Sequence, residues 1–271
     1  MKYKMIVSDF DGTLLGDNHE IPQNNIDAIK KYTERGGKFV IATGRIFSAI
    51  IPHIQNLGLQ GKIITCQGAV IYDIQTEEIF SYTPLEQAKV LNVIKYLNGL
   101  EDKVTICMFY ENKIFVDKNN EFSLYFGDVL GVTVYETNLP LDEHIKQNNI
   151  VPTKLVVLIN PKKSATVSEY CKGAFEGMSF HLSTPFIMEV VNNKASKGKA
   201  IESLCNLYNI TPDEVIAIGD ANNDAPMINF AGLGVAVGNA MQTLKDIADE
   251  VTVTNNEGAV ATIINEYMYL D

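Results

Sequence analysis

Three polar clusters stand where apolar runs end. The run Lys4 to Asp9 (KMIVSD) leads into Asp9-Phe10-Asp11-Gly12-Thr13. Lys38 to Thr43 (KFVIAT) leads into Thr43-Gly44-Arg45, and Val215 to Gly219 (VIAIG) into Asp220, followed by Ala221-Asn222-Asn223-Asp224. Asp9 and Asp11 are two apart, so an extended strand end would turn both carboxylates to one side. Carboxylates held close together stay ionised only with a cation between them. Asp9, Asp11, Asp220 and Asp224 are hard oxygen ligands with no His or Cys in the same motifs. That donor set favours Mg²⁺ over Zn²⁺. Gly12 and Thr13 predict a tight turn whose N–H groups can cradle an anion. Thr43, Asn223 and a lysine would complete a phosphate site. A carboxylate nucleophile, a metal and a phosphate cradle together point to transfer through an aspartyl-phosphate.

For these clusters to meet, the elements carrying them must share one edge. The first 66 residues alternate strand, helix, strand, helix, strand. Ile26, Ile29 and Tyr32 fall at helical spacing and Gly36-Gly37 supplies the stop. Phe47, Ile50, Ile51, Ile54 and Leu57 form a second helix face, and KIITC (62–66) predicts a third strand. This alternation is the signature of an α/β, doubly wound parallel (Rossmann-like) core. Ligands of such sheets bind outside the carboxyl ends of the strands, where all three clusters lie. From 69 to 82 the pattern is a hairpin. From about 84 to 190 helices mix with hairpin pairs around Glu111-Asn112 and Thr184-Pro185, which predicts an α+β unit. Alternation resumes after Asn193. The division predicted is a core of 1–82 and 191–271 with an inserted α+β cap domain at 83–190.

The composition narrows the partners. There are 33 Asp plus Glu against 22 Lys plus Arg, a formal charge of −11. No basic run exceeds a pair such as Lys162-Lys163, so a nucleic-acid partner is not expected. Cys66, Cys107, Cys171 and Cys205 make no C-x-x-C pair and sit in apolar stretches, as buried reduced thiols of a cytoplasmic protein do. The apolar part of MKYKMIVSDFDG is too short for a signal peptide. Ala225 to Leu244 is uncharged but broken by Gly and Asn, so it predicts two buried elements and a turn rather than a membrane span. Gly232, Gly234 and Gly238 have the wrong spacing for a dinucleotide loop.

With DFDGT (9–13), IATGR (41–45), SKGKAI (196–201) and GDANNDAPM (219–227) in this order, the chain resembles the haloacid dehalogenase (HAD) superfamily. More narrowly it is similar to the Cof-type sugar-phosphate phosphatases, which carry a large α/β cap. The resemblance implies that Asp9 attacks phosphorus. It implies that Asp11 protonates the leaving alkoxide and then activates water. Mg²⁺ would be held by the Asp9 and Asp220 carboxylates and the Asp11 backbone carbonyl, with Asp224 supporting the site directly or through water. Thr43 and Lys197 would hold the phosphoryl group with help from Asn223; Gly12 and Gly44 belong to the same phosphate-binding set. Dehalogenases proper lack an acid at the Asp11 position, because a halide leaves without a proton. Two departures stand out: Gln67-Gly68-Ala69 where relatives often read N-G-A, and Asn193-Lys194-Ala195 before SKG. They bear on substrate contacts or hinge geometry and leave the catalytic set intact.

The expected function is Mg²⁺-dependent hydrolysis of phosphate monoesters of small metabolites, sugar phosphates above all, in the cytoplasm. No membrane or obligate protein partner is inferred. The alternative within the superfamily is phosphoryl transfer of the phosphomannomutase type, which would need a bisphosphate activator and release little phosphate. A receiver-like signalling module also combines an acid cluster, a Thr and a Lys, but is about half this length and has no inserted domain.

Overall fold

The computed structural model describes residues 1–270, the Asn56 side chain excepted. The chain forms two compact units: Met1–Gly44 with Ile50–Ser81 and Ser196–Asp271, and Arg45–Ala49 with Tyr82–Ala195. Arg45–Ala49 begin with the last residue of the second cluster, yet group with the second unit. There the Ser48 N–H donates to Asn112 Oδ1 at 2.8 Å.

The elements, in chain order, begin with β1 (Met5–Ser8), α1 (Gln23–Glu34), β2 (Lys38–Ile41), α2 (Phe47–Ile54), β3 (Lys62–Thr65), β4 (Val70–Asp73) and β5 (Ile79–Tyr82). The middle of the chain gives α3 (Gln87–Asn98), β6 (Thr105–Tyr110), β7 (Lys113–Val116), α4 (Glu121–Leu130), β8 (Val134–Glu136) and α5 (Leu141–Gln147). It continues with β9 (Lys154–Leu158), α6 (Pro161–Ala174), β10 (Met178–Thr184) and β11 (Ile187–Asn192). The remainder is α7 (Lys197–Tyr208), β12 (Val215–Gly219), α8 (Ala225–Ile228), β13 (Leu233–Ala236), α9 (Gln242–Lys245), β14 (Glu250–Val251) and α10 (Ala259–Tyr267).

The first unit is built on a parallel sheet of order β14-β13-β12-β1-β2. Residues of β1 and β12 are buried throughout, as a parallel sheet covered on both faces requires, and this is why both read as unbroken apolar runs. Helix α1 packs with α10, and α7 with α8. The fold is α/β and doubly wound. Strand order reverses between β1 and β12: the chain steps from β1 to β2 on one side, and from β12 to β13 and β14 on the other. The ligand crevice of such a sheet lies at this reversal, outside the carboxyl ends.

The third strand departs from expectation. β3 pairs antiparallel with β4 in a separate sheet of order β3-β4-β5, and lies beside β2, with a parallel bridge from Ala42, just past β2, to Ile64. One edge of β3 carries the ladder to β4; the other is used at that bridge, where the Thr43 N–H donates to the Ile64 carbonyl at 2.9 Å. The uncharged stretch 225–244 likewise yields α8, β13 and the start of α9 rather than two elements.

The second unit carries a six-stranded sheet of order β10-β11-β9-β6-β7-β8, mostly antiparallel, with β7 and β8 parallel. β6 and β7 are joined by Glu111-Asn112, both at positive φ (46° and 59°), the backbone of a two-residue hairpin turn. Val90, Ile94 and Leu97 of α3 pack with Ile145 of α5, Cys171 of α6 and the sheet residues Met108, Val157 and Val190 in one apolar core. Asn192, at the end of β11, donates to the Pro84 carbonyl at 2.7 Å, tying together the two segments that bound the insertion. Among the described residues no helix is long and apolar enough to cross a membrane. All four cysteines are buried outside disulfides.

Candidate active site

β1 ends at Ser8, whose buried hydroxyl donates to the Asp9 carbonyl at 2.7 Å. Asp9 keeps one ladder bond, its N–H donating to Ile218 of β12 at 2.8 Å, so its side chain is set at the β1–β12 reversal. Phe10 to Leu14 then coil into one wide turn closed by the Leu15 N–H on the Phe10 carbonyl at 2.9 Å. Buried Phe10, Thr13 and Leu14 anchor the turn. Its tip needs glycine: Gly12 has φ +76°, and a Cβ there would sit 2.6 Å from Asp220 Oδ2.

β1 is over by Ser8, so the turn rather than strand alternation sets where Asp9 and Asp11 stand. Asp9 is buried while Asp11 is exposed and lies outside the group of converging carboxylates. That group is Asp9, Asp220 and Asp224, each offering one carboxylate oxygen within 4.8 Å of the others.

β12 delivers Asp220 beside Asp9. The Thr13 hydroxyl donates to Asp220 Oδ1 at 3.1 Å. Asp224, four residues on, folds back: its Oδ2 accepts from the Asp220 and Ala221 N–H groups at 3.0 and 3.1 Å. The other Asp224 oxygen accepts from Lys197 Nζ at 2.6 Å, so both are held by protein donors. Asp224 therefore shapes the turn and orients the lysine. Lys197 is the first residue of α7. The Ser196 side chain caps that helix by accepting from the Lys199 N–H at 3.2 Å. Its ammonium is fully buried and lies 2.5 Å from Asp9 Oδ1.

The electrostatics follow from this crowding. Burial pushes Asp9 well above the usual carboxylate range. The Asp224 carboxylate adds to that and the Lys197 ammonium opposes it. Burial also raises Asp220, again with Asp224 contributing. Burial alone would lower Lys197, but the Asp224 and Asp9 carboxylates outweigh it and hold the ammonium charged. Three carboxylates against one ammonium leave negative charge uncompensated, which a divalent cation would neutralise. The donors are all oxygen, as Mg²⁺ prefers, and Gly12 leaves the space beside Asp220 that a side chain would fill. The residues present fit such an ion.

The remaining expected site residues form an adjoining network. Thr43 is buried, and its carbonyl accepts from the Gln67 N–H at 3.0 Å. Gly44 lies against the Gln67 amide, which would be 2.6 Å from a Cβ there. Asn223 Nδ2 donates to Gln67 Oε1 at 3.0 Å. Two contributions were not foreseen. Thr13, expected only as part of the anion-cradling turn, also supports Asp220 through its hydroxyl. Gln67 joins Thr43, Gly44 and Asn223, and its signal was the departure from N-G-A.

A family model described as haloacid dehalogenase-like hydrolase matches residues 6–264. The chain belongs to that family. A Bacillus subtilis (strain 168) protein named "Putative phosphatase YxeH" is 31% identical over 270 residues, covering 97% of this chain and 98% of its own. From the same organism, "5-amino-6-(5-phospho-D-ribitylamino)uracil phosphatase YitU" is 25% identical, covering 98% of each chain. Among solved structures, the HAD subclass IIB sugar phosphatase BT4131 superposes with a TM-score of 0.83 at 26% identity, covering 97% of this chain and 98% of its own. The similarity to the Cof-type branch thus holds across both units, and the chain is a HAD-type phosphatase.

Proposed function

We propose that this phosphatase hydrolyses phosphate monoesters of small metabolites through an aspartyl-phosphate on Asp9, with Mg²⁺ as cofactor. The observation that carries the reading is the placement of Asp9: buried at the strand-order reversal, 2.5 Å from the Lys197 ammonium and beside two further carboxylates. Asp9, Asp220 and the backbone near Asp11 would hold the ion, with Asp224 in support. Held there, Mg²⁺ would neutralise charge on the phosphoryl oxygens and on the carboxylates. Lys197 opposes the rise that burial causes in Asp9 and can take a phosphoryl oxygen. An Asp9 oxygen attacks phosphorus, and the phosphorus–oxygen bond to the leaving group breaks. Asp11, exposed on the turn, gives its proton to the alkoxide. As a carboxylate it then takes a proton from water as that water attacks phosphorus, and the bond to Asp9 breaks to release orthophosphate. Thr43, Asn223, Gly12 and Gly44 are assigned to phosphate binding.

The inserted segment, 83–190, is assigned the role of cap and the choice of substrate. Sugar phosphates are the favoured class because the likeness to BT4131 spans the chain. The relative that acts on a phosphorylated ribitylaminouracil supports the broader class of small phosphate monoesters. A cytoplasmic location agrees with four cysteines outside disulfides. The test is release of inorganic phosphate from p-nitrophenyl phosphate and a panel of phosphorylated sugars. Turnover with Mg²⁺ that is lost in EDTA and in Asp9→Asn supports the reading. Full activity in either condition overturns it, and transfer between positions of a sugar without free phosphate would make the chain a mutase.

A further inference from the structure

The turn Cys66-Gln67-Gly68 has the most unusual backbone in the first unit. All three residues are left-handed, with φ of 51°, 60° and 90°. A side chain rarely adopts this conformation, and two consecutive non-glycine residues in it need support from their surroundings. The support comes from the phosphate-site loops. Gln67 N–H donates to the Thr43 carbonyl at 3.0 Å. A Cβ at Gly68 would sit 2.3 Å from the Ser196 carbonyl, immediately before Lys197. The Gln67 side chain accepts from Asn223 Nδ2 at 3.0 Å and lays its own amide nitrogen against Gly44.

We infer that Gln67 is a positioning residue for phosphate binding: its side-chain amide fixes the Asn223 amide plane and the Gly44 backbone in one arrangement. Once one N–H of Asn223 is spent on Gln67, the plane of that amide is set, and the second N–H is aimed with it. Thr43 and Gly44 are held from the same residue through its backbone N–H and its side chain. The inference rests on the phosphatase reading, and it adds a role for a residue that makes no assumed contact with phosphate. Residues held in strained backbone cluster where geometry matters to function. Here the strained residue is also the one that links three segments far apart in sequence.

The test is a double-mutant cycle of Gln67→Ala and Asn223→Ala, with Gln67→Asn as a further variant. Steady-state kinetics on p-nitrophenyl phosphate with Mg²⁺ and calorimetric affinity for inorganic phosphate are both measured, with thermal melting as the control for folding. Positioning predicts that Gln67→Ala raises KM and weakens phosphate binding about tenfold, with kcat changed less than threefold. In the Asn223→Ala background the same substitution adds less than twofold. Gln67→Asn suits the left-handed backbone but is one methylene short of Asn223. It should melt no lower than wild type and still show the raised KM. Effects that multiply in the double variant, or wild-type KM in Gln67→Asn, overturn the inference. If the wild-type protein binds phosphate but hydrolyses no ester, the phosphatase reading fails while the cycle is still read from phosphate affinity. A wild-type protein that does neither overturns both.

Discussion

Lys197→Met tests the electrostatic design of the site most severely. Methionine keeps much of the aliphatic stem and removes the ammonium. In the native protein that ammonium is fully buried, 2.5 Å from Asp9 and 2.6 Å from Asp224. Breaking a buried ion pair by removing one partner costs about 3–5 kcal/mol, because the opposite charge stays behind in a poor solvent. At about 2–4 °C per kcal/mol for chains of 150–250 residues, the melting temperature should fall by roughly 6–20 °C near pH 8 in EDTA. The loss depends on pH. Asp9 and Asp220 are already raised, by burial first and then by Asp224, so the folded protein binds more protons than the unfolded one. Metal-free stability therefore falls as pH rises from about 4, the unfolded carboxylate value, through the higher folded values. Lys197 is raised, since Asp224 and Asp9 outweigh the effect of burial. Its own stabilisation is fully present below about 10.4 and is lost only as pH passes the higher folded value. It is therefore intact across the range tested. Without it Asp9 rises further, and near pH 5 a protonated Asp9 no longer needs a cation. Melting of both proteins in EDTA from pH 5 to 8.5 should show a difference that is large at pH 8 and shrinks toward pH 5. A difference independent of pH, or none at pH 8, would refute the reasoning.

Gly12→Ala forces a side chain onto a backbone at φ +76° and into contact with Asp220. It should cost about 1–2 kcal/mol and raise the Mg²⁺ concentration for half-maximal activity at least tenfold, read from a metal titration. An unchanged Mg²⁺ requirement would count against Asp220 as a donor. Ser196→Ala removes the acceptor for the Lys199 N–H at the start of α7. The expected cost is about 1 kcal/mol, or a melting temperature lower by about 2–4 °C, measured by calorimetry. Burial pushes the Cys107 thiol up to about 12, and Cys171 and Cys205 up to about 11. A thiol-specific disulfide reagent at pH 8 should label no cysteine in the native protein and all of them after denaturation; rapid native labelling would contradict their burial.

What the sequence disclosed and what it hid have physical causes. β1 and β12 were legible because a strand covered on both faces must be apolar throughout. The acids that follow them mark where the strands end. The convergence of Asp9 with Asp220 followed from the rule for parallel sheets, and the register Ser8 to Ile218 realises it. The relation of Asp11 to Asp9 is set by the turn after Ser8 rather than by strand alternation, because the strand stops one residue too early. β3 was read as a third strand of the alternating core, and its bridge beside β2 is parallel. Periodicity does not say which edge of a strand finds a partner, and β4 takes most of it. Asp224 was placed among the acids that support the metal and does converge with Asp9 and Asp220, but spacing does not disclose its hydrogen bonds. The structure shows its oxygens held by Lys197 and two backbone N–H groups. Gln67 could be noticed as a departure from a motif, yet its link to Asn223 joins residues 156 apart in sequence and needed the fold to be seen.

The central claim is that Asp9 becomes covalently phosphorylated during turnover. Asp11→Asn cannot activate water, and with p-nitrophenyl phosphate, whose phenolate leaves without needing its proton, it should let that species accumulate. Mixing it with a substrate and Mg²⁺, quenching in acid and sequencing the peptides by mass spectrometry should locate one phosphoryl group on Asp9, absent when EDTA is added. A phosphoryl group on any other residue, or an active wild-type enzyme in which no variant or time point yields phosphorylated Asp9, would contradict the account.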